Sequence, residues 1–226
     1  MSIAENIDQI KTNLPSGVKL IAVSKTKSAE LLMEAYHYGQ RAFGENKVQE
    51  MTRKQEELPK DIEWHFIGHL QTNKIKYIAP FVHLIHGVDS FKLLKAIDAE
   101  ARKIDRVIPC LLQFYIAEEE TKYGFSMAEA IEMMNSSELR SLKNISISGV
   151  MGMATFTDDV NQIRNEFAHL KTIFETLNSR YFADVPEFRE ISMGMSADYL
   201  IAVDEGSTMI RIGSTIFGER NYSQKT

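Results

Sequence analysis

The chain has 226 residues, of which 44% are hydrophobic and 25% charged, a composition that predicts a globular protein with a sizeable core. Its net charge of −5, without a basic stripe, argues against nucleic-acid binding, and no apolar run is long enough to span a bilayer. The amino terminus carries neither the basic nor the apolar segment of a secretory signal. We therefore expect a cytoplasmic protein that has no nucleic-acid or membrane partner.

Short apolar segments alternate with amphipathic helical segments along the chain. Several of the apolar segments are nearly continuous, which is typical of a parallel sheet covered by helices. Helices are predicted at 2–13 and near 29–36, 91–97 and 167–174, where apolar residues recur three and four apart. Strands are predicted, in chain order, at 18–24, 41–45, 63–67, 83–88, 107–115, 145–151, 188–192 and 208–212.

Eight strand–helix units in series predict an α/β fold, a single (β/α)8 TIM barrel that forms one domain over residues 1–226. A doubly wound open sheet is the alternative, but no Gly-x-Gly-x-x-Gly pattern follows the first strand. The sequence has no low-complexity linker or internal repeat that would divide it. Ser126, with Glu129 three residues later, predicts a capped helix start, and Cys110 is expected to be a buried thiol.

The chemically distinctive residues fall just after the predicted strands. In a TIM barrel the loops at these strand ends form one rim, where active sites lie. Lys25 follows the first strand, and a lysine amine desolvated at the end of an apolar strand is a candidate Schiff-base nucleophile. The other candidates on this rim are Asn46, His69, Asp89, Lys122, Met151, Ser192, Met193, Arg211, Gly213 and Ser214.

The loops after the last two strands predict a phosphate-binding cradle. Ser192 and Ser214 supply hydroxyl donors, and glycines such as Gly213 let backbone amides approach an anion. Ser196 opens a predicted helix and can contribute to the same cradle. A reactive lysine beside such a cradle indicates pyridoxal 5′-phosphate (PLP) as the cofactor. Arg211 lies within the last strand, so it is expected to face the pyridine ring of this cofactor rather than its phosphate.

Each of these residues also has an ordinary structural interpretation. Taken alone, Lys25 is typical of a solvated turn and Asn46 of a helix cap. Methionines such as Met151 are more often core residues than cofactor contacts, and His65 fits a hydrogen-bonded core histidine. Lys122 follows an acidic loop that it can balance. The functional interpretation is favoured because one rim and one ligand account for the whole set.

Several distinctive sequence blocks occur in order along the chain. They are AVSKTK at 22–27, FGEN at 43–46, WHFIGHLQTNK at 64–74, KYG at 122–124, GVM at 149–151, SMGMSAD at 192–198 and GSTMIRIGSTIFG at 206–218. These blocks make the chain similar to the pyridoxal phosphate homeostasis protein family. Its barrel then resembles the N-terminal domain of alanine racemase, a fold-type III PLP protein. Ser214 stands where many relatives have threonine, and His69 stands where some have proline.

The resemblance implies that Lys25 carries PLP as a Schiff base and that Arg211 faces the pyridine nitrogen. It assigns the phosphate to Ser192, Gly213 and Ser214, with Asn46 lining the site. The full cofactor-binding set that we predict is Lys25, Asn46, Met151, Ser192, Met193, Arg211, Gly213 and Ser214.

The resemblance also implies the function, which is to carry and buffer PLP and maintain its intracellular supply without catalytic turnover. Apo forms of PLP-dependent enzymes are the expected recipients, and we expect a monomer. The sequence ends soon after the last predicted strand, so we expect no C-terminal β-domain to supply a second catalytic group, and a cofactor open to water. The alternatives are a weak PLP-dependent amino-acid racemase and a barrel that binds another phosphorylated metabolite.

Overall fold

The computed structural model describes residues 2–117 and 123–218. Their backbone forms a closed barrel of eight parallel strands in sequential order, in which the last strand pairs with the first. Every strand predicted from the sequence is present, and each boundary lies within two residues of its predicted position. The strands are β1 (Lys19–Val23), β2 (Ala42–Glu45), β3 (Glu63–Phe66), β4 (Leu84–Val88), β5 (Ile108–Gln113), β6 (Ile145–Met151), β7 (Glu190–Ser192) and β8 (Met209–Ile212).

The closed sheet confirms the TIM barrel and excludes the open doubly wound sheet. Two helix starts, at Ser2 and at the predicted Ser126, carry a reciprocal capping box. A 3₁₀ turn spans Thr72–Lys74, and a π-helical turn spans Asn178–Phe182. The helices are α1 (Ile3–Thr12), α2 (Ala29–His37), α3 (Val48–Glu57), α4 (Ile75–Ile78), α5 (Phe91–Arg102), α6 (Met127–Asn135), α7 (Ser137–Ser141), α8 (Val160–Leu177), α9 (Tyr199–Asp204) and α10 (Ser214–Phe217).

Among the described residues, no helix combines the length and the apolar character that crossing a membrane requires.

Most of the buried apolar residues that the structure describes belong to one of two clusters. The large one lies between the strands and the surrounding helices, and it includes Cys110, whose burial as a free thiol was predicted. Burial raises the pKa of this thiol, so it stays protonated and unreactive. The small cluster fills part of the barrel interior and consists of Leu84, Leu111, Met151 and Met209.

Strand β6 contains a bulge at Ser148. Its register with β5 passes from Cys110 opposite Ile147 to Leu111 opposite Gly149, which leaves Ser148 as the extra residue. Gly149 has a φ of +149°, and a Cβ built on it would lie 1.9 Å from the Glu190 carbonyl oxygen. Only glycine therefore allows β6 and β7 to pair here.

We expect Gly149→Ala to lower the free energy of unfolding by more than about 3 kcal/mol, because the methyl group collides with fixed backbone. Gly39→Ala is the matched control, since Gly39 also has a positive φ, +96°, but has open space around it. It should cost only about 1 kcal/mol. Urea denaturation measures both, and equal losses would contradict the steric argument.

Candidate functional site

The carboxyl ends of the strands form one rim, on which the predicted residues of β1, β2 and β8 meet. β1 pairs with β8 on one side and with β2 on the other, so the segments that follow these strands are neighbours. A Cβ built on Gly213 would lie 3.1 Å from the Val23 carbonyl oxygen, so the turn after β8 closely approaches β1. Lys25, half-buried, lies on the rim between the segments that carry Asn46 and Ser214.

The turn that carries Lys25 is fixed on both sides by side chains of α3. The Ser24 carbonyl oxygen accepts a hydrogen bond of 2.8 Å from Lys54 Nζ, and the Thr26 amide donates one of 2.6 Å to Glu50 Oε1. Thr26 has a φ of +65°, a conformation that a β-branched residue adopts only where its surroundings enforce it. The backbone direction at Lys25 is therefore set by its neighbours on α3.

Lys54 is the centre of a buried charge cluster. Its side chain is 1% exposed, and its ammonium lies 2.7 Å from Glu45 Oε1 and 2.8 Å from Glu50 Oε1. With the Ser24 carbonyl, these contacts use all three N–H donors of the lysine. Ser24 Oγ donates to the same Glu45 oxygen at 2.7 Å. Burial raises the pKa of Glu45, and the attraction of Lys54 opposes that shift.

We expect Lys54→Met to lower the free energy of unfolding by about 3–5 kcal/mol, because it leaves a buried carboxylate without its counter-charge. The control is Lys95→Met, which breaks an ion pair with Glu138 of the same length, 2.7 Å, between exposed side chains. That loss should be below about 1 kcal/mol. Adding Glu45→Gln to Lys54→Met should recover part of the stability. Chemical denaturation measures the free energy of unfolding of each variant. Similar losses for Lys54→Met and Lys95→Met would contradict this account of the cluster.

Arg211, which the sequence predicted to face a pyridine ring, is a buried and fixed cation. It is 4% exposed, and it donates through Nη1 to Ser192 Oγ at 2.6 Å and through Nη2 to the Gly152 carbonyl at 3.1 Å. Burial lowers the pKa of Arg211 to about 10, so the guanidinium remains protonated at neutral pH. The guanidinium can donate hydrogen bonds but cannot accept a proton or a hydrogen bond.

Two buried histidines extend this contact through the barrel interior. His86 Nδ1 lies 2.8 Å from Ser192 Oγ, and His65 Nδ1 lies 2.9 Å from His86 Nε2. The prediction of a hydrogen-bonded core histidine at His65 is confirmed. Burial lowers the pKa of His65 to about 4 and that of His86 well below its ordinary value, so both rings are neutral at pH 7.

We expect the protein to lose stability as the pH falls from about 6.5 to about 4. In this range the unfolded chain protonates its histidines, whereas the folded chain keeps His65 and His86 neutral. The contribution of the two histidines to the free energy of unfolding is complete above about pH 6.5, the histidine pKa in the unfolded chain. His65 alone accounts for a loss of about 3 kcal/mol by pH 4. Urea unfolding at several pH values, in buffers with a chelator, measures this slope. His37→Gln, at an exposed position, should leave the slope unchanged, and a flat profile would contradict the prediction.

The predicted phosphate cradle is split between an open part and a buried part. Gly213 and Ser196 are half-buried, and the Gly213 amide donates to Ser196 Oγ at 3.4 Å. Ser214 is exposed at the start of α10. Ser192, in contrast, is fully buried, and its hydroxyl contacts Arg211 and His86 rather than the open cradle. Its predicted role in holding a phosphate stays a prediction.

The remaining predicted residues lie in different environments. Asn46 is half-buried on the rim. Its backbone lies so close to Gly68 that a Cβ built on Gly68 would be 2.4 Å from the Asn46 carbonyl oxygen. Met151 belongs to the apolar cluster of the barrel interior, whereas the Met193 side chain packs in the outer core. His69 is exposed and contacts Asp89 Oδ2 at 3.0 Å. Lys122 lies outside the described residues.

Several residues that organise the rim were not identified from the sequence. Glu50 and Lys54 are spaced as an ordinary i,i+4 ion pair of a surface helix, so nothing in the pattern marks them as buried. His86 lies in an apolar strand segment, which is a signal for a buried polar group that needs a partner, but its partner is 106 positions away.

The barrel and its rim define an α/β barrel protein of the alanine racemase type, and comparison with known proteins agrees. The family described as "Alanine racemase, N-terminal domain" matches residues 1–221. The alanine racemase of Clostridium difficile superposes with a TM-score of 0.75 at 14% identity, and this chain spans 58% of it. That likeness shows the shared fold alone.

Other relatives match over most of their length. Proteins named pyridoxal phosphate homeostasis protein are 37% identical in Vibrio alginolyticus, over 98% of this chain and 99% of that one, and 38% identical in Homo sapiens, over 92% and 78%. The structure of PipY from Synechococcus elongatus with PLP bound has a TM-score of 0.85 and 36% identity, covering 96% of this chain and all of PipY. The chain belongs to the pyridoxal phosphate homeostasis protein family.

Proposed function

We propose that this protein binds PLP at the carboxyl rim of its barrel, carries and buffers it, and maintains its supply to other proteins. The observation that carries the proposal is that Lys25 and the Gly213–Ser214 turn follow two paired strands, one of which carries the buried cation Arg211. The names of the relatives and the PLP-bound structure of PipY support the choice of ligand.

The residues on the rim fit the three chemical parts of PLP. The aldehyde of PLP condenses reversibly with a primary amine, releasing water and forming an imine. In this chain Lys25 supplies the amine, and the contacts of Lys54 and Glu50 hold its turn in place. The half-buried position keeps the lysine reachable from solvent, which suits a ligand that is taken up and handed on.

Arg211 is the group that we assign to the pyridine nitrogen. Ser192 and the Gly152 carbonyl hold the guanidinium in place. As a cation that only donates hydrogen bonds, it would face the nitrogen without protonating it. An unprotonated ring would be a weaker electron sink, which restricts the carbanion chemistry that it can support. On this ground we propose a non-enzymatic role for the protein.

For the phosphate we propose Gly213 and Ser214 together with Ser196. Their half-buried or exposed positions on one turn leave room for an anion, and the Gly213 amide and the two hydroxyls are donors. Ser192 we assign instead to the support of Arg211, because its hydroxyl already has two buried partners. Asn46 and Met151 stay proposed contacts of the same site.

We expect purified protein loaded with PLP to become covalently labelled on Lys25 when it is reduced with borohydride, as peptide mapping by mass spectrometry would reveal. Lys25→Ala should lose both this label and the visible absorbance of the bound cofactor. Lys47→Ala, at an exposed lysine after β2, is the control and should keep both. A label on another residue, or an unchanged spectrum in Lys25→Ala, would refute the proposed attachment.

The functional part of the proposal is tested by transfer and by turnover. PLP-loaded protein should restore the activity of an apo-enzyme, and size-exclusion chromatography should show a monomer. Incubation with either enantiomer of alanine, followed by chiral analysis, separates a carrier from a weak racemase. Sustained interconversion above that given by free PLP would establish the racemase and reject the carrier.

A further inference from the structure

A second polar cluster lies at the opposite, amino-terminal end of the barrel. Glu63 and His65 are the first and third residues of β3, and His83 immediately precedes β4. The donor atoms of these three side chains all lie within 4.8 Å of one another. None of the three is a proposed contact of PLP, because the rim lies at the other ends of these strands.

The geometry of this cluster is close to that of a metal site. Glu63 Oε2 lies 4.0 Å from His65 Nε2 and 4.0 Å from His83 Nε2. In a tetrahedral zinc site with bonds of about 2 Å, neighbouring ligand atoms are about 3.3 Å apart. The side chains of Glu63 and His83 are 36% and 47% exposed, so both can move the short distance that separates the two arrangements.

The buried atom His65 Nε2 gives independent evidence that a ligand belongs here. His65 is fully buried, and this nitrogen has no hydrogen-bond partner, since 4.0 Å to Glu63 is too long for a hydrogen bond. An unpartnered buried polar atom costs about 1–3 kcal/mol. The other ring nitrogen, Nδ1, contacts His86 Nε2, which matches the outer hydrogen bond that metal-binding histidines make.

We propose that Glu63, His65 and His83 form a binding site for one divalent transition-metal ion, preferentially Zn²⁺, with water as the fourth ligand. Two imidazoles and one carboxylate are a donor set that zinc accepts. A pocket of about 360 Å³ beside the cluster, lined in part by Lys19, His83 and Glu190, gives the ion a path from solvent.

Lys19 competes with the ion for this site. Its ammonium lies 3.1 Å from Glu63 Oε2, and both side chains are more than a third exposed. Such a pair contributes at most about 1 kcal/mol, so the ion can displace the lysine. Removing the lysine charge should therefore strengthen metal binding.

The test uses the full chain without a histidine tag, freed of metal with a chelator and kept free of PLP. Isothermal titration with ZnCl₂ should give one ion per chain, and Co²⁺ should give the strong visible bands of a low-coordinate site. His83→Gln and Glu63→Gln should each weaken Zn²⁺ binding at least about tenfold, as loss of a direct ligand requires. Lys19→Met should tighten it, and His169→Gln, at an exposed position on α8, should leave it unchanged.

Because the variant positions are partly exposed, the proteins should fold, and circular dichroism checks this. Zn²⁺ should raise the melting temperature of the wild type but not that of His83→Gln. Absence of saturable binding in the wild type, or equal affinity of the wild type and His83→Gln, would overturn the proposal. Since PLP is absent, neither result depends on whether the rim binds that cofactor.

Discussion

The buried ammonium of Lys54 needs three acceptors, and it finds them on three different segments: the turn after β1, the end of β2 and its own helix α3. Satisfying this charge fixes the relative positions of all three segments, because a buried cation that loses an acceptor is strongly destabilising. Lys25 lies between the two backbone groups that the cluster holds, the Ser24 carbonyl and the Thr26 amide. Lys54 thus holds the turn in place, and Lys25 is presented at a defined position on the rim.

The barrel interior is divided into an apolar part and a polar part. TIM barrels usually fill this space with layers of branched apolar side chains. Here four apolar residues occupy one part, while His65, His86, Ser192 and Arg211 occupy another as a continuous hydrogen-bonded series. Such polar burial contributes little to stability compared with an apolar core. The outer layer between strands and helices holds the fold together, which leaves the interior available for function.

The sequence was sufficient to predict the architecture because the eight strands have strong local signals and parallel barrels place their strand ends on one rim. Lys25, Arg211 and Gly213 were therefore found as neighbours without any structural information. Side-chain orientation was less accessible. Ile147 and Met151 would share one face of a regular strand, but the bulge at Ser148 sends Ile147 to the outer core and Met151 into the barrel. Buried pairings such as His86 with Ser192 depend on contacts between distant parts of the chain, which no local pattern records.

The series from His65 to Arg211 has a directional character. Each neutral imidazole carries one hydrogen, so the series has two complete arrangements. In the first, Ser192 donates to His86 and His86 donates to His65. In the second, His65 donates to His86 and His86 donates to Ser192. Arg211 donates to Ser192 in both. In the second arrangement the Ser192 hydrogen no longer points at His86, and His65 Nε2 presents a lone pair at the amino-terminal end of the barrel. The hydrogen positions at one end of the barrel therefore determine those at the other end. Only hydrogen atoms have to move when the series changes from one arrangement to the other.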